Sequence, residues 1–151
     1  MSRVSRKDTG PERTVASFLR KNKLHFRRNV KSLPGSPDIV LIEHSAAIFV
    51  HGCFWHGHKN CKFAKRPSSN KSYWDKKIDE NITRDKKKSR ELRNLGWRVF
   101  TVWQCQINNN LKAEKRLSHL SRQLIAQPPV KESRSVILLH KPQLDRKDTS
   151  Q

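Results

Sequence analysis

The stretch from Asp38 to Val50, "DIVLIEHSAAIFV", constrains the fold of this chain more than any other. Two short, continuous apolar runs, "DIVLI" and "AAIFV", flank the turn "EHS". Runs of this length and composition read as β-strands. A strand that is apolar throughout has no face to give to water, so both should lie between two layers of other structure. The short connection pairs them as an antiparallel hairpin. The start of one strand then lies beside the end of the other, which puts Asp38 and His51 at one edge of the sheet.

The flanking segments supply the layers. "GPERTVASFLRKNKL" reads as a first helix, with Pro11 at its first position and Val15, Phe18, Leu19 and Leu24 on one face. "HFRRNV" is a short strand, and "SLPGSP" is a turn. Residues 62–71 are polar and loop-like. "SYWDKKIDENITRDKKKSRELRNLG" reads as a long helix with a stripe of Trp74, Ile78, Ile82, Leu92 and Leu95, stopped at Gly96. "WRVFTVW" is a third core strand. "NNNLKAEKRLSHLSRQLIA" is a last helix with Leu111, Leu117, Leu120 and Leu124 turned inward. This order predicts an α/β domain with a mixed central sheet flanked by helices. The domain runs over 1–127. Residues 128–151 form a basic, peripheral or disordered tail, apolar only at "VILLH".

Immediately after the second strand comes "HGCFWHGHKNC", residues 51–61. Cys53-x4-His58-x2-Cys61 brings three zinc-type ligands together, and Cys105, just past "WRVFTVW", can supply the fourth from the sheet edge. Buried free cysteines often serve as small hydrophobes, but Cys53 and Cys61 sit among polar residues. Four protein ligands close the site, so such a zinc staples the loop rather than reacting. An odd count of three cysteines, with no hydrophobic signal in "MSRVSRKDTGPER", fits a reducing cytosol and no disulfide framework.

Lys and Arg number 33 against 13 Asp and Glu, a formal net charge of +20. That imbalance points to a polyanionic partner, nucleic acid first. No apolar run approaches the ~20 residues of a membrane span. No HExxH, P-loop or Gly-rich dinucleotide signature is present, which disfavours protease, NTPase and Rossmann readings. Asp38, His51 and His56 converge instead on another chemistry. A carboxylate can hold Mg²⁺ together with phosphate oxygens, and a nearby imidazole can activate water. Together they suit phosphodiester hydrolysis.

"LPGSPDIVL", "IFVHGCFWHGH", "YWDKKIDENITRD" and "LGWRVFTVWQC" occur here in an order that resembles the very short patch repair endonucleases, over most of Thr9 to Ile107. The resemblance implies a restriction-endonuclease-like fold with a structural zinc. It also implies Mg²⁺-dependent nicking of one strand beside the T of a T:G mismatch left by deamination of 5-methylcytosine. Asp38 matches the metal-binding aspartate, and the backbone carbonyl of Val50 a second metal contact. His51 and His56 match the catalytic histidines, with His56 as general base. Glu12 matches a carboxylate that holds metal-bound water. Cys53, His58, Cys61 and Cys105 match the zinc ligands. Phe54, Trp55 and Trp74 match aromatics that enter the DNA, and Asn81 and Asp85 match residues reading or lining the site. A monomer acting on double-stranded DNA in the cytoplasm, with the nucleoid, is expected. Mismatch-repair proteins are candidate helpers, and a cytosine-5 methyltransferase is a functional link. The chain departs from the family in its short segment before Glu12 and its basic tail. It also lacks the acidic-x-Lys element usual in restriction-type nucleases, as the family's histidines imply. Two other classes remain open: a restriction-type or structure-specific nuclease on the same scaffold, and a non-catalytic zinc-stapled DNA-binding module.

Overall fold

In the computed structural model, which describes residues 9–126, the two apolar runs lie side by side as strands β2 (Ile39–Leu41) and β3 (Ala46–His51). They pair antiparallel, Ile39 with Ile48 and Leu41 with Ala46. Between them, Ile42–His44 makes one 3-10 turn that Ser45 closes at a left-handed φ of 51°. A two-residue strand β1 (Arg27–Arg28) pairs with β2, and β4 (Arg98–Trp103) runs parallel to β3. The mixed sheet therefore has the order β1-β2-β3-β4.

Three helices cover it: α1 (Gly10–Lys21), α2 (Lys71–Asn94) and α3 (Asn110–Ala126). Thr9 caps α1, its side chain accepting from the Glu12 N–H at 3.4 Å, and Pro11 sits in the first turn, where its missing N–H has no intrahelical partner to lose. The alternation of side chains along β2 and β3 divides the core in two. Ile39, Leu41, Ala46 and Ile48 face α1 and α3, meeting Val15, Leu19, Leu117, Leu120 and Leu124. Val40, Ala47 and Phe49 face the other way, against Leu92 and Trp97. Each fully buried aliphatic side chain contributes about 1.5–3 kcal/mol of gross transfer energy, which accounts for uninterrupted apolar runs in strands with two covered faces.

Several expectations change. β4 is an edge strand, half-buried except at Val102, rather than a third core strand. Leu111 is 83% exposed, and Ala113 takes the inward place. Leu111 precedes Leu117 by about 240° of helical rotation and so points away from the sheet. Leu24 lies past the end of α1, although it still packs on the core. In α2 only Ile78 and Leu92 are buried; Trp74 and Ile82 meet the loop that follows β3, and Leu95, just past the helix, packs on the second core cluster. The tail from 128, with "VILLH", lies outside the described residues. Among those described, no helix is long and apolar enough to cross a membrane.

Candidate active site

The parallel pairing of β3 and β4 brings their carboxyl ends together, the edge where open α/β sheets commonly place ligands. His51 ends β3, and Asp38 immediately precedes β2 across the hairpin. The Val50 N–H donates to Asp38 Oδ2 at 2.7 Å, so the two residues do share one edge. Burial raises the Asp38 carboxyl to about 7, against the stabilising Val50 hydrogen bond; the nearby Glu12 charge raises it further. Glu12 itself is 4% exposed, with Arg28 Nη2 at 3.9 Å from its Oε1. Two carboxylates sunk at one edge are a donor set suited to a hard cation, which would remove the cost of their buried charge.

Beyond β3 the chain loops out and returns against α2. Gly57 makes the close approach possible, with φ +60° and its missing Cβ only 2.5 Å from where Ile82 Cδ1 sits. The Asn81 amide donates to the Trp55 carbonyl at 2.9 Å. His56 Nδ1 stands 2.6 Å from Asp85 Oδ2. A carboxylate only accepts, so the proton belongs on Nδ1 and Nε2 is left as the acceptor. The His56 ring lies flat on His51, centroids 3.7 Å apart and planes within 1°. Burial, with the adjacent His56, drives His51 down to about 4, so it is neutral at neutral pH. The structure thus assembles His51, His56 and Asp85 with ligand atoms within 4.8 Å of one another. Asn81 and Asp85, one helical turn apart, both hold this loop.

Cys53, His58, Cys61 and Cys105 form a second cluster, also within 4.8 Å. Cys105 arrives on a 3-10 turn, Gln104–Gln106, directly after β4. Its Sγ is 3.5 Å from His58 Nδ1. A tetrahedral ion bonded to a thiolate at about 2.3 Å and an imidazole at about 2.05 Å would hold those atoms about 3.5–3.6 Å apart. The donor set and its spacing therefore fit zinc.

Phe54, Trp55 and Trp74 meet edge to face, with centroids 5.2–5.7 Å apart. None belongs to either core cluster, and Trp55 is 47% exposed. Tyr73, 59% exposed, extends the patch through Trp74 at 5.0 Å. Sequence reasoning left out Tyr73, although its place beside Trp74 was a signal. It also left out Trp103, whose neighbours follow from a strand register that no local pattern reveals.

An α/β chain of this charge, with a histidine–aspartate pair at the carboxyl end of its parallel strands, has the make-up of a hydrolase acting on DNA. The chain belongs to the DNA mismatch endonuclease Vsr family, whose model matches residues 1–62. It is 43% identical over 120 residues to the Type II nicking enzyme V.XorIIP of Xanthomonas oryzae pv. oryzae, covering 80% of this chain and 88% of that protein. It is 39% identical over 124 residues to the Type II nicking enzyme V.NmeAIP of Neisseria meningitidis, covering 82% and 88%. With the DNA mismatch endonuclease Vsr of Escherichia coli it shares 41% identity over 112 residues, covering 74% and 71%. It is a DNA endonuclease related to mismatch repair.

Proposed function

We propose that the protein nicks one strand of duplex DNA beside the T of a T:G mismatch, in a Mg²⁺-dependent hydrolysis. The observation that carries this reading is the His56–Asp85 contact of 2.6 Å, stacked on His51 one residue after the Val50 N–H that binds Asp38. The relatives, a mismatch endonuclease and Type II nicking enzymes by name, support a cut in one strand.

Asp38 and the Val50 carbonyl would hold Mg²⁺, and Glu12 the water around it; the ion when bound supplies Lewis-acid stabilisation of charge on the scissile phosphate. Asp85 keeps the His56 proton on Nδ1, so that Nε2 takes a proton from the attacking water. When His56 becomes charged, Asp85 stabilises it. His51, kept neutral by burial, holds the His56 ring in plane; its own Nδ1 is buried and has no hydrogen-bond partner among the described residues.

Zinc held by Cys53, His58, Cys61 and Cys105 fixes the loop so that these groups arrive pre-positioned. Phe54, Trp55 and Trp74 would wedge into the base step at the mismatch, where a T:G wobble opens more cheaply than a matched pair. The domain on this reading is 1–127, restriction-endonuclease-like, with the basic tail outside it. It works as a monomer in the cytoplasm, with the nucleoid, on lesions left by a cytosine-5 methyltransferase, and mismatch-repair proteins are candidate helpers. The test is His56→Ala with Mg²⁺ and a labelled T:G duplex. Loss of nicking with DNA binding retained supports the reading; nicking at the wild-type rate removes His56 from the chemistry.

A further inference from the structure

The β3–β4 register sets His51 directly beside Trp103. The indole meets His51 edge to face, centroids 5.3 Å apart at 70°. Its face lies flat on His58, at 4.0 Å and 6°. His51 in turn lies flat on His56. Four rings therefore run without a gap from a zinc-type ligand to the imidazole bonded to Asp85.

The backbone of Trp103 is itself held by the following turn and by α3. Its main-chain N–H donates to Gln106 Oε1 at 2.9 Å, and Arg116 Nε, from α3, donates to the same oxygen at 3.2 Å. Arg116 Nη2 donates to the Thr101 carbonyl at 3.1 Å. A core role does not account for the indole, because Trp103 is half-buried and belongs to neither apolar cluster.

We infer that Trp103 is a positioning residue that braces His51 against the zinc cluster, so that the order of the stapled loop reaches the histidine pair through its indole as well as through the chain. The inference rests on the reading that His51 and His56 act in nicking. Reacting groups displaced by about 1 Å can lose about 100-fold in rate. Removing the indole should therefore slow the chemical step and leave DNA binding nearly intact. The zinc should stay, since none of its ligand atoms is touched.

The experiment compares full-length Trp103→Leu, Trp103→Phe, His58→Cys and the Trp103→Leu/His58→Cys double variant with wild type, all zinc-replete. The readouts are zinc content, Kd for a T:G duplex, single-turnover nicking rate at saturation, and the His51 ring proton resonances. Trp103→Leu should keep its zinc and bind within about threefold, yet lose about 100-fold in rate and shift the His51 resonances. Trp103→Phe, which keeps a ring, should recover most of the rate. His58→Cys can still close a four-thiolate zinc site but removes the ring under the indole. Its rate loss and that of Trp103→Leu should fail to add in the double variant. Trp103→Leu nicking at the wild-type rate with unmoved His51 resonances overturns the inference. So do zinc loss in Trp103→Leu and additive losses in the double variant, either of which would make Trp103 a simple support of the zinc site. If the wild type nicks no duplex, the proposed function fails, and the His51 resonances alone decide the bracing role.

Discussion

Replacing Asp38 by Asn should abolish nicking and at the same time stabilise the protein. Burial holds the Asp38 carboxyl at about 7 rather than 3.8. Between those values the folded chain keeps a proton that the unfolded chain has released. Stability therefore falls as pH rises through this window, and the full cost stands above pH 7. At about 1.4 kcal/mol per tenfold change in acidity, the rise corresponds to about 4 kcal/mol. The carboxylate is only partly screened from water, so about 2 kcal/mol is the working figure. Asn keeps an oxygen to accept the Val50 N–H and cannot ionise. In zinc-replete, magnesium-free buffer at pH 8, Asp38→Asn should melt about 5–10 °C above wild type. At pH 4 the two should melt together. Adding Mg²⁺ should raise the wild-type Tm and leave the variant unmoved. A variant less stable than wild type at pH 8, or a gap that is the same at both pH values, would refute the buried-charge reasoning.

Cys105→Ala should lose zinc and drop in Tm by more than about 10 °C, because structural zinc contributes folding energy directly; full zinc content at an unchanged Tm would remove Cys105 from the site. Trp55→Ala should keep its Tm and zinc while losing activity on T:G duplex by more than it loses nonspecific affinity for C:G duplex. Early melting with normal nicking by the folded fraction would make Trp55 a packing residue. Binding to undamaged duplex should weaken with salt, with a log–log slope near −5 if about six phosphates are neutralised; a flat plot would separate the +20 charge from DNA.

The hairpin is legible in the sequence because β2 and β3 are buried on both faces, and only such strands carry uninterrupted apolar runs. From it follows the placing of Asp38 beside Val50, at the end of the strand that carries His51, which needs nothing beyond antiparallel pairing. The Cys/His cluster is legible for a related reason, since three of its four residues lie within one short loop. What escapes the sequence is non-local. "WRVFTVW" does not announce that it takes an edge, nor that it runs parallel to β3, so Trp103 beside His51 is invisible until the register is known. The His56–Asp85 contact depends on how closely the loop approaches α2, and Gly57 sets that distance through φ +60° and an absent Cβ. Leu111 misleads because it is apolar and helical yet on the wrong side of α3.

A mismatch-directed, single-strand cut is tested most directly on duplexes that differ at a single base. Purified protein with zinc and Mg²⁺ should be incubated with end-labelled duplexes that differ only in T:G against C:G at one position, each strand labelled in turn. One nick is expected beside the T, in the T-bearing strand alone, lost when Mg²⁺ is omitted and in Asp38→Asn. Equal cutting of the C:G duplex, or cleavage of both strands, would contradict it.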